Sequence, residues 1–295
     1  MSASYYEANA RGRIEGLLDA GSFHEWLPPA ARISNPHLAK LDLPGAFDDG
    51  VIIGRGVMNG KEIYIVAQEG GFMGGAVGEI HGAKIVGTVE RAQRERPVAV
   101  VLLMETGGVR LQEANAGLIA VAEVMRALLS LRASGIPVIV AIGGQYGCFG
   151  GMGIAARCAS VIVMNEEGRL GLSGPEVIET ARGVEEFDSR DRALVWRTVG
   201  GKQRYLLREC DVIVADEIAA FKSAIAASIG EGEDWSLHAI EAEHTLLANR
   251  LTRFGDCQDA AEIWRRLGWE DAESLALLPT HAFITSAADE GRRAS

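Results

Sequence analysis

The feature that most constrains this chain is the stretch from Pro97 to Met164, where two unbroken apolar runs each end in a glycine turn. The first run is Val98-Ala99-Val100-Val101-Leu102-Leu103-Met104, followed by Glu105-Thr106-Gly107-Gly108-Val109-Arg110. The second is Val138-Ile139-Val140-Ala141-Ile142, followed by Gly143-Gly144 and then Gly147-Cys148-Phe149-Gly150-Gly151-Met152-Gly153. A strand with one wet face alternates apolar and polar residues. These runs do not alternate, so they read as strands buried on both faces. The segment between them is long enough for a crossover helix, which makes the pair parallel. Glycine at a strand end permits positive φ and leaves backbone N–H groups uncovered. Two such turns from neighbouring strands are able to aim two donors at one oxygen, which is what an oxyanion hole requires. From spacing alone the same glycines also read as ordinary tight turns.

The flanking sequence supplies more of the same alternation. Residues 5–20 read as a helix with Arg11 and Arg13 exposed, and residues 22–49, rich in proline, as an irregular surface arm. Residues 51–56 and 62–67 form two strands joined at Asn59-Gly60, a favoured hairpin turn. A glycine cluster at 70–75 leads into a helix over 76–94 with Ile85, Val89 and Ala92 on one face. The helix expected over 113–133 carries an inward stripe of Leu118, Val121, Met125 and Leu128. Residues 160–164 and 168–172 read as further strands, and Ser173 with Glu176 as a capping box. From Ser189 the pattern is helical over 189–209, 216–229, 237–253 and 258–267, with a linker at 230–233 and a frayed tail beyond Ser286. The expected organisation is an N-terminal helix and arm over 1–50, an α/β domain over 51–229 and a helical extension over 230–295.

Several chemistries fall away on the sequence. A net charge of −11 argues against a general nucleic-acid or anionic-membrane binder. No basic segment with an apolar core opens the chain, and no run approaches the length of a membrane span, so a cytoplasmic protein is expected. Gly60-Lys61 is followed by Glu62, which breaks a phosphate-binding P-loop, and no dinucleotide fingerprint follows a strand. The sequence Gly171-Leu172-Ser173-Gly174-Pro175 fails the nucleophile-elbow pattern at its last position. Cys148 lies in the second glycine loop but has no histidine near it in sequence, and reads as a small buried residue. The histidines show no metal-ligand spacing, so no metal is expected; His81 is the one nearest the glycine clusters, and reads as structural. Arg91, Arg94 and Arg96 read as a solvated helix end. What remains is a site of backbone donors, suited to reactions in which charge develops on a thioester carbonyl oxygen.

Four ordered motifs then carry a resemblance. They are Gly70-Gly71-Phe72-Met73-Gly74-Gly75-Ala76-Val77-Gly78-Glu79, Thr106-Gly107-Gly108-Val109-Arg110-Leu111-Gln112-Glu113, Phe149-Gly150-Gly151-Met152-Gly153 and Ser173-Gly174-Pro175-Glu176-Val177-Ile178-Glu179. Together they resemble the carboxyltransferase branch of the ClpP/crotonase superfamily, in particular the beta-type subunits of acyl-CoA carboxylases. Ile80-His81-Gly82-Ala83-Lys84 and Val184-Glu185-Glu186-Phe187-Asp188-Ser189-Arg190-Asp191-Arg192 are similar to the beta subunits of biotin-independent malonate decarboxylases. The zinc ribbon of bacterial acetyl-CoA carboxylase beta subunits has no counterpart here.

The resemblance implies a ββα spiral with a helical C-terminal extension. It implies pairing with a homologous gamma subunit, alongside an acyl carrier protein and an acyl-carrier transferase subunit. The reaction implied is decarboxylation of a malonyl thioester on that carrier, whose phosphoribosyl-dephospho-CoA arm is the only prosthetic group, this chain itself holding none. The oxyanion donors would be Gly108 and Gly151, within one residue, with Gly107, Val109, Gly150 and Met152 against the substrate. A carboxyltransferase acting on biotin, or a non-catalytic scaffold subunit, is the alternative.

Overall fold

The computed structural model describes residues 3–230, 235–269 and 271–289. Apart from Gly230, the expected linker lies outside the described residues, as does the tail beyond Asp289. One seven-stranded sheet organises the chain: β1 (His24–Trp26), β2 (Val51–Met58), β3 (Lys61–Gln68), β4 (Val100–Leu103), β5 (Val138–Ile142), β6 (Val161–Asn165) and β7 (Val212–Val214). Strand order follows chain order; β1 to β3 pair antiparallel and β3 to β7 parallel. The β2–β3 hairpin turns at Asn59-Gly60, both at positive φ (49° and 77°), between the paired Met58 and Lys61. Two positive φ values in succession match the twist of the flanking strands.

Each parallel step needs a crossover. These are α2 (Glu79–Glu95), α3 (Asn115–Ala133) and α4 (Gly150–Arg157), while α1 (Ala10–Leu17) precedes the sheet. The last step, from β6 to β7, runs through α5 (Pro175–Arg182), α6 (Arg192–Val199) and α7 (Gly201–Leu206). After β7 come α8 (Ile218–Ser228), α9 (Leu237–Phe254), α10 (Ala260–Arg266), α11 (Ala272–Leu277) and α12 (Thr280–Asp289). Crossovers of one hand between strands added in one direction fall on one face of the sheet. Accordingly Val100, Leu102, Val138 and Val140 pack with residues of α2, α3 and α4. Val101, Leu103, Ile139 and Ala141 face the other way, against α1 and α8. Both faces of β4 and β5 are covered, which is why neither strand alternates.

Local readings were overruled where a distant partner decided the outcome. Residues 22–49 contribute β1, which pairs with β2, and the gap between the expected helices 189–209 and 216–229 holds β7, which pairs with β6 at the sheet edge. Arg13, expected in solvent, is 1% exposed. On α3 the buried face is Gly117, Ala120, Val121, Val124, Ala127, Leu128 and Leu131, whereas Leu118 is 56% exposed. The cause is close helix packing: a Cβ on Gly82 of α2 would stand 2.6 Å from the Ala120 Cβ, so small residues occupy that contact. Ser173 makes no cap; Gly174 is the capping residue and α5 starts at Pro175, where a missing N–H costs nothing.

Candidate active site

Beyond the sheet, the strand ends pair a second time. Thr106 N–H donates to Gly147 O (2.8 Å), Phe149 N–H to Thr106 O (2.9 Å) and Cys148 N–H to Arg169 O (2.8 Å). Val77 N–H likewise donates to Gly108 O (2.8 Å), tying the glycine cluster before α2 to the first turn. This inner ladder consists of single bridges, Val77 to Val109, Thr106 to Cys148 and Cys148 to Leu170, at the place where a ββα unit has its second strand. It fixes the two glycine turns side by side, since β4 and β5 are neighbours.

The turns touch backbone to backbone. Gly108 has φ +108° and Gly150 φ +62°. A Cβ on Gly108 would lie 3.0 Å from Phe149 O and 3.1 Å from Gly150 Cα. Both the dihedral and the space therefore demand glycine at Gly108. Around this contact the donors divide into two sets. Gly107 N–H is taken by Gly74 O (2.8 Å), Gly108 N–H by Thr106 Oγ1 (3.0 Å) and Gly150 N–H by Leu172 O (3.1 Å). Among the described residues no acceptor takes the N–H of Val109, Gly151 or Met152. The last two open α4, where a helix leaves its first N–H groups unpaired and its dipole favours negative charge. The structure thus brings together all six residues singled out from sequence, with the free donors on Val109, Gly151 and Met152 and that of Gly108 engaged.

Gly107 and Phe149 line a cleft of about 700 Å³, with Tyr6, Tyr146, Arg169 and Trp196 among its other walls. It opens at the carboxyl ends of the parallel strands, the usual position for a ligand in a parallel sheet. A second cavity of about 670 Å³ lies beneath α9, near Ser160 at the start of β6 and so at the opposite end of the strands. Among the described residues no cluster of His, Cys, Asp and Glu could hold a metal ion. Nor is any described helix long and apolar enough to cross a membrane.

The rest of the first glycine motif is an anchor. Arg110 is fully buried and donates to both Asp49 carboxylate oxygens (3.0 Å each) and to Glu113 Oε1 (2.8 Å). Asn35 reaches Glu113 (2.8 Å), and Glu113 accepts the Glu79 N–H (2.8 Å) at the start of α2. Burial pushes the Asp49 carboxyl above its ordinary value against the pull of Arg110. Burial acts the same way on Glu113, but the Glu79 N–H and Arg110 outweigh it and hold that carboxyl below its ordinary value. Asn35 and Asp49 come from the segment read as an irregular arm, and spacing alone gives no sign of their role.

Cys148 and His81, the two side chains weighed nearest the glycine loops, are both buried and already bonded. Cys148 is buried, its Sγ 3.4 Å from Met152 O, and burial pushes its thiol up, away from the nucleophilic thiolate. His81 is buried between Asp49 O (Nδ1, 3.0 Å) and Gln68 (Nε2, 3.0 Å), and burial lowers its pKa to about 3. Between pH 6.5 and 3 the unfolded chain binds a proton that folded His81 refuses. Its contribution is therefore intact above pH 6.5 and lost progressively as pH falls toward 3, on the order of a few kcal/mol in total. Denaturant titrations at pH 7.5 and 5 should show a smaller stability difference in His81→Gln than in the parent chain.

Comparison with known proteins agrees with this geometry. Residues 7–200 match the carboxyl transferase domain model, a span holding both glycine turns and every named wall of the cleft except Tyr6. The chain belongs to the carboxyl transferase family. It is 40% identical to the malonyl-S-ACP:biotin-protein carboxyltransferase MADC of Malonomonas rubra, over 96% of this chain and 95% of that one. A solved Pseudomonas malonate decarboxylase hetero-tetramer, in complex with malonate, holds a chain that superposes with TM-score 0.80 at 41% identity, covering 90% of this chain and 97% of its own. A chain of the Pseudomonas MdcD-MdcE hetero-dimer does so with TM-score 0.66 at 38% identity, over 83% and 96%. Within the carboxyl transferases, the chain therefore groups with malonate decarboxylase subunits.

Proposed function

We propose that this carboxyl transferase is the beta-type subunit of a malonate decarboxylase. It acts on malonyl-S-acyl-carrier protein, releasing CO2 and leaving the acetyl thioester on the carrier. The observation that carries the chemistry is the meeting of the two glycine turns, with the free N–H groups of Val109, Gly151 and Met152 beside it. The thioester carbonyl oxygen binds those donors. As the C–C bond to the carboxylate breaks, its electron pair flows into the carbonyl and negative charge collects on the oxygen. CO2 leaves, and a proton then reaches the α-carbon of the enolate. Preorganised donors hold the charged oxygen more tightly than the neutral carbonyl, and each is worth about 10²–10³ in rate.

The Pseudomonas malonate decarboxylase chains come from a hetero-tetramer and a hetero-dimer, which supports a homologous gamma-type partner for this chain. The carrier, its phosphoribosyl-dephospho-CoA arm and an acyl-carrier transferase subunit complete the proposed complex. MADC, whose name couples malonyl-S-ACP to a biotin protein, favours a second reading in which the carboxyl group passes to biotin instead. The two separate cleanly. Co-expressed with its gamma-type partner, the chain should release CO2 from malonyl-carrier protein at a rate avidin does not change. A requirement for a biotin carrier, or inhibition by avidin, would assign it to carboxyl transfer.

A further inference from the structure

The glycine turns rest on a buried ion pair that the inner ladder does not need. Glu105, between β4 and the first turn, is 3% exposed. Its Oε1 accepts the Tyr146 N–H (3.1 Å) from the second turn, and its Oε2 is gripped by Arg13 Nη1 of α1. Arg13 is itself fixed: Nε donates to Tyr5 O (2.9 Å), and the guanidinium lies 4.7 Å from the centre of the Tyr5 ring. That ring stacks at 3.9 Å on Phe221 of α8. The surrounding glycines make room for the carboxylate. A Cβ on Gly144 would come 2.4 Å from Glu105 Oε1, and one on Gly70 would come 2.7 Å from Glu105 Cγ.

We propose that Glu105, clamped by Arg13, is a positioning residue that sets the spacing between the two glycine turns. The carboxylate belongs to the first turn by covalent connection and to the second by its bond to Tyr146. An ionised acceptor makes a shorter and stronger bond to a backbone N–H than a neutral one. Arg13 adds two things. It restricts the carboxylate to one position, and it neutralises a negative charge that would otherwise oppose the charge developing on the substrate oxygen. The N-terminal helix thereby acts on the site without touching substrate. This inference rests on the decarboxylase reading for its catalytic consequence, but the brace itself is measurable without turnover.

The test compares the assembled complex carrying the parent chain, Glu105→Gln, Arg13→Lys, and the double substitution Arg13→Met with Glu105→Gln. Three readouts are taken: kcat and KM for CO2 release, melting temperature, and amide hydrogen exchange at 106–109 and 146–152. Glu105→Gln should lower kcat about 10–100-fold with KM changed less than twofold. Arg13→Lys, which keeps the charge, should retain most of the activity. The double variant removes both buried charges, so its melting temperature should return toward the parent value while kcat stays low. Exchange at the two turns should quicken in the low-kcat variants, with the strands of β4 and β5 unchanged. Recovery of kcat together with melting temperature in the double variant would overturn the proposal, as would unchanged exchange at the turns. If the parent complex releases no CO2, the decarboxylase reading fails, and the exchange data alone decide the brace.

Discussion

Replacing Gly108 with alanine is expected to lower CO2 release by the assembled complex about 10²–10³-fold, the scale of losing one oxyanion donor. Two effects act together at this position. The backbone sits at φ +108°, a region that an L side chain enters at a cost of about 1–3 kcal/mol. The new Cβ would also come within 3.0 Å of Phe149 O and 3.1 Å of Gly150 Cα, so the second turn must move away. That movement displaces the Gly151 and Met152 donors relative to Val109, and the oxygen loses its fit to at least one of them. The fold has cheaper ways to respond, because the strands beneath keep their pairing. Circular dichroism and partner co-purification should therefore be preserved, with kcat falling far more than stability. Turnover within a few-fold of the parent would show that the two turns do not form the oxyanion site. Gly151→Val should also abolish turnover, since a Cβ there stands 2.8 Å from Val121 Cγ1 on α3. That variant disturbs the packing of α3 as well, so Gly108→Ala is the cleaner measurement.

Replacing Arg110 with methionine should destabilise the chain by about 3–5 kcal/mol, because it strands buried carboxylates without their counter-charge. Arg110 and Glu113 are both fully buried at their side chains, as is Asp49, and Arg110 supplies the charge that offsets the two acids. Its removal leaves Asp49 and Glu113 facing each other across Asn35, which bonds to both. One carboxyl would then take up a proton at neutral pH, and the melting temperature should fall by on the order of 10 °C. Arg126 is the natural control. It pairs with Glu90 and Glu123 at the surface of α3, where solvent screens the interaction, so Arg126→Met should leave the melting temperature almost unchanged. An Arg110→Met chain as stable as the control would mean that the cluster is not an anchor.

The amino-acid sequence by itself determined the parallel centre of the sheet and the turns at its edge. Ala99–Met104 and Val138–Ile142 are apolar on both faces, and a position covered on both sides satisfies that pattern; Val98, at the start of the first run, lies outside β4 and is exposed. Asn59-Gly60 and the glycine pairs after β4 and β5 are likewise local statements, since φ is a property of one residue and its neighbours. Tertiary structure decided everything that needed a partner far along the chain. Arg11 and Arg13 stand two apart on one short helix, yet Arg11 is 43% exposed at its side chain and Arg13 is 1% exposed. Arg11 meets Glu25 at the surface, whereas Arg13 points inward onto Tyr5 and onto Glu105, 92 residues on. Leu118 lost its expected place in the core to Gly117 and Ala120, because α2 approaches too closely for a leucine. β1 and β7 are three residues each, too short to show a period, and they exist because β2 and β6 offer them open edges. The site itself divides the same way. Glycine at 107, 108, 150 and 151 was legible as a set of turns, but which N–H groups remain free depends on Gly74 O, Thr106 Oγ1 and Leu172 O. A backbone donor carries no mark of its acceptor in the sequence; only the folded chain assigns one.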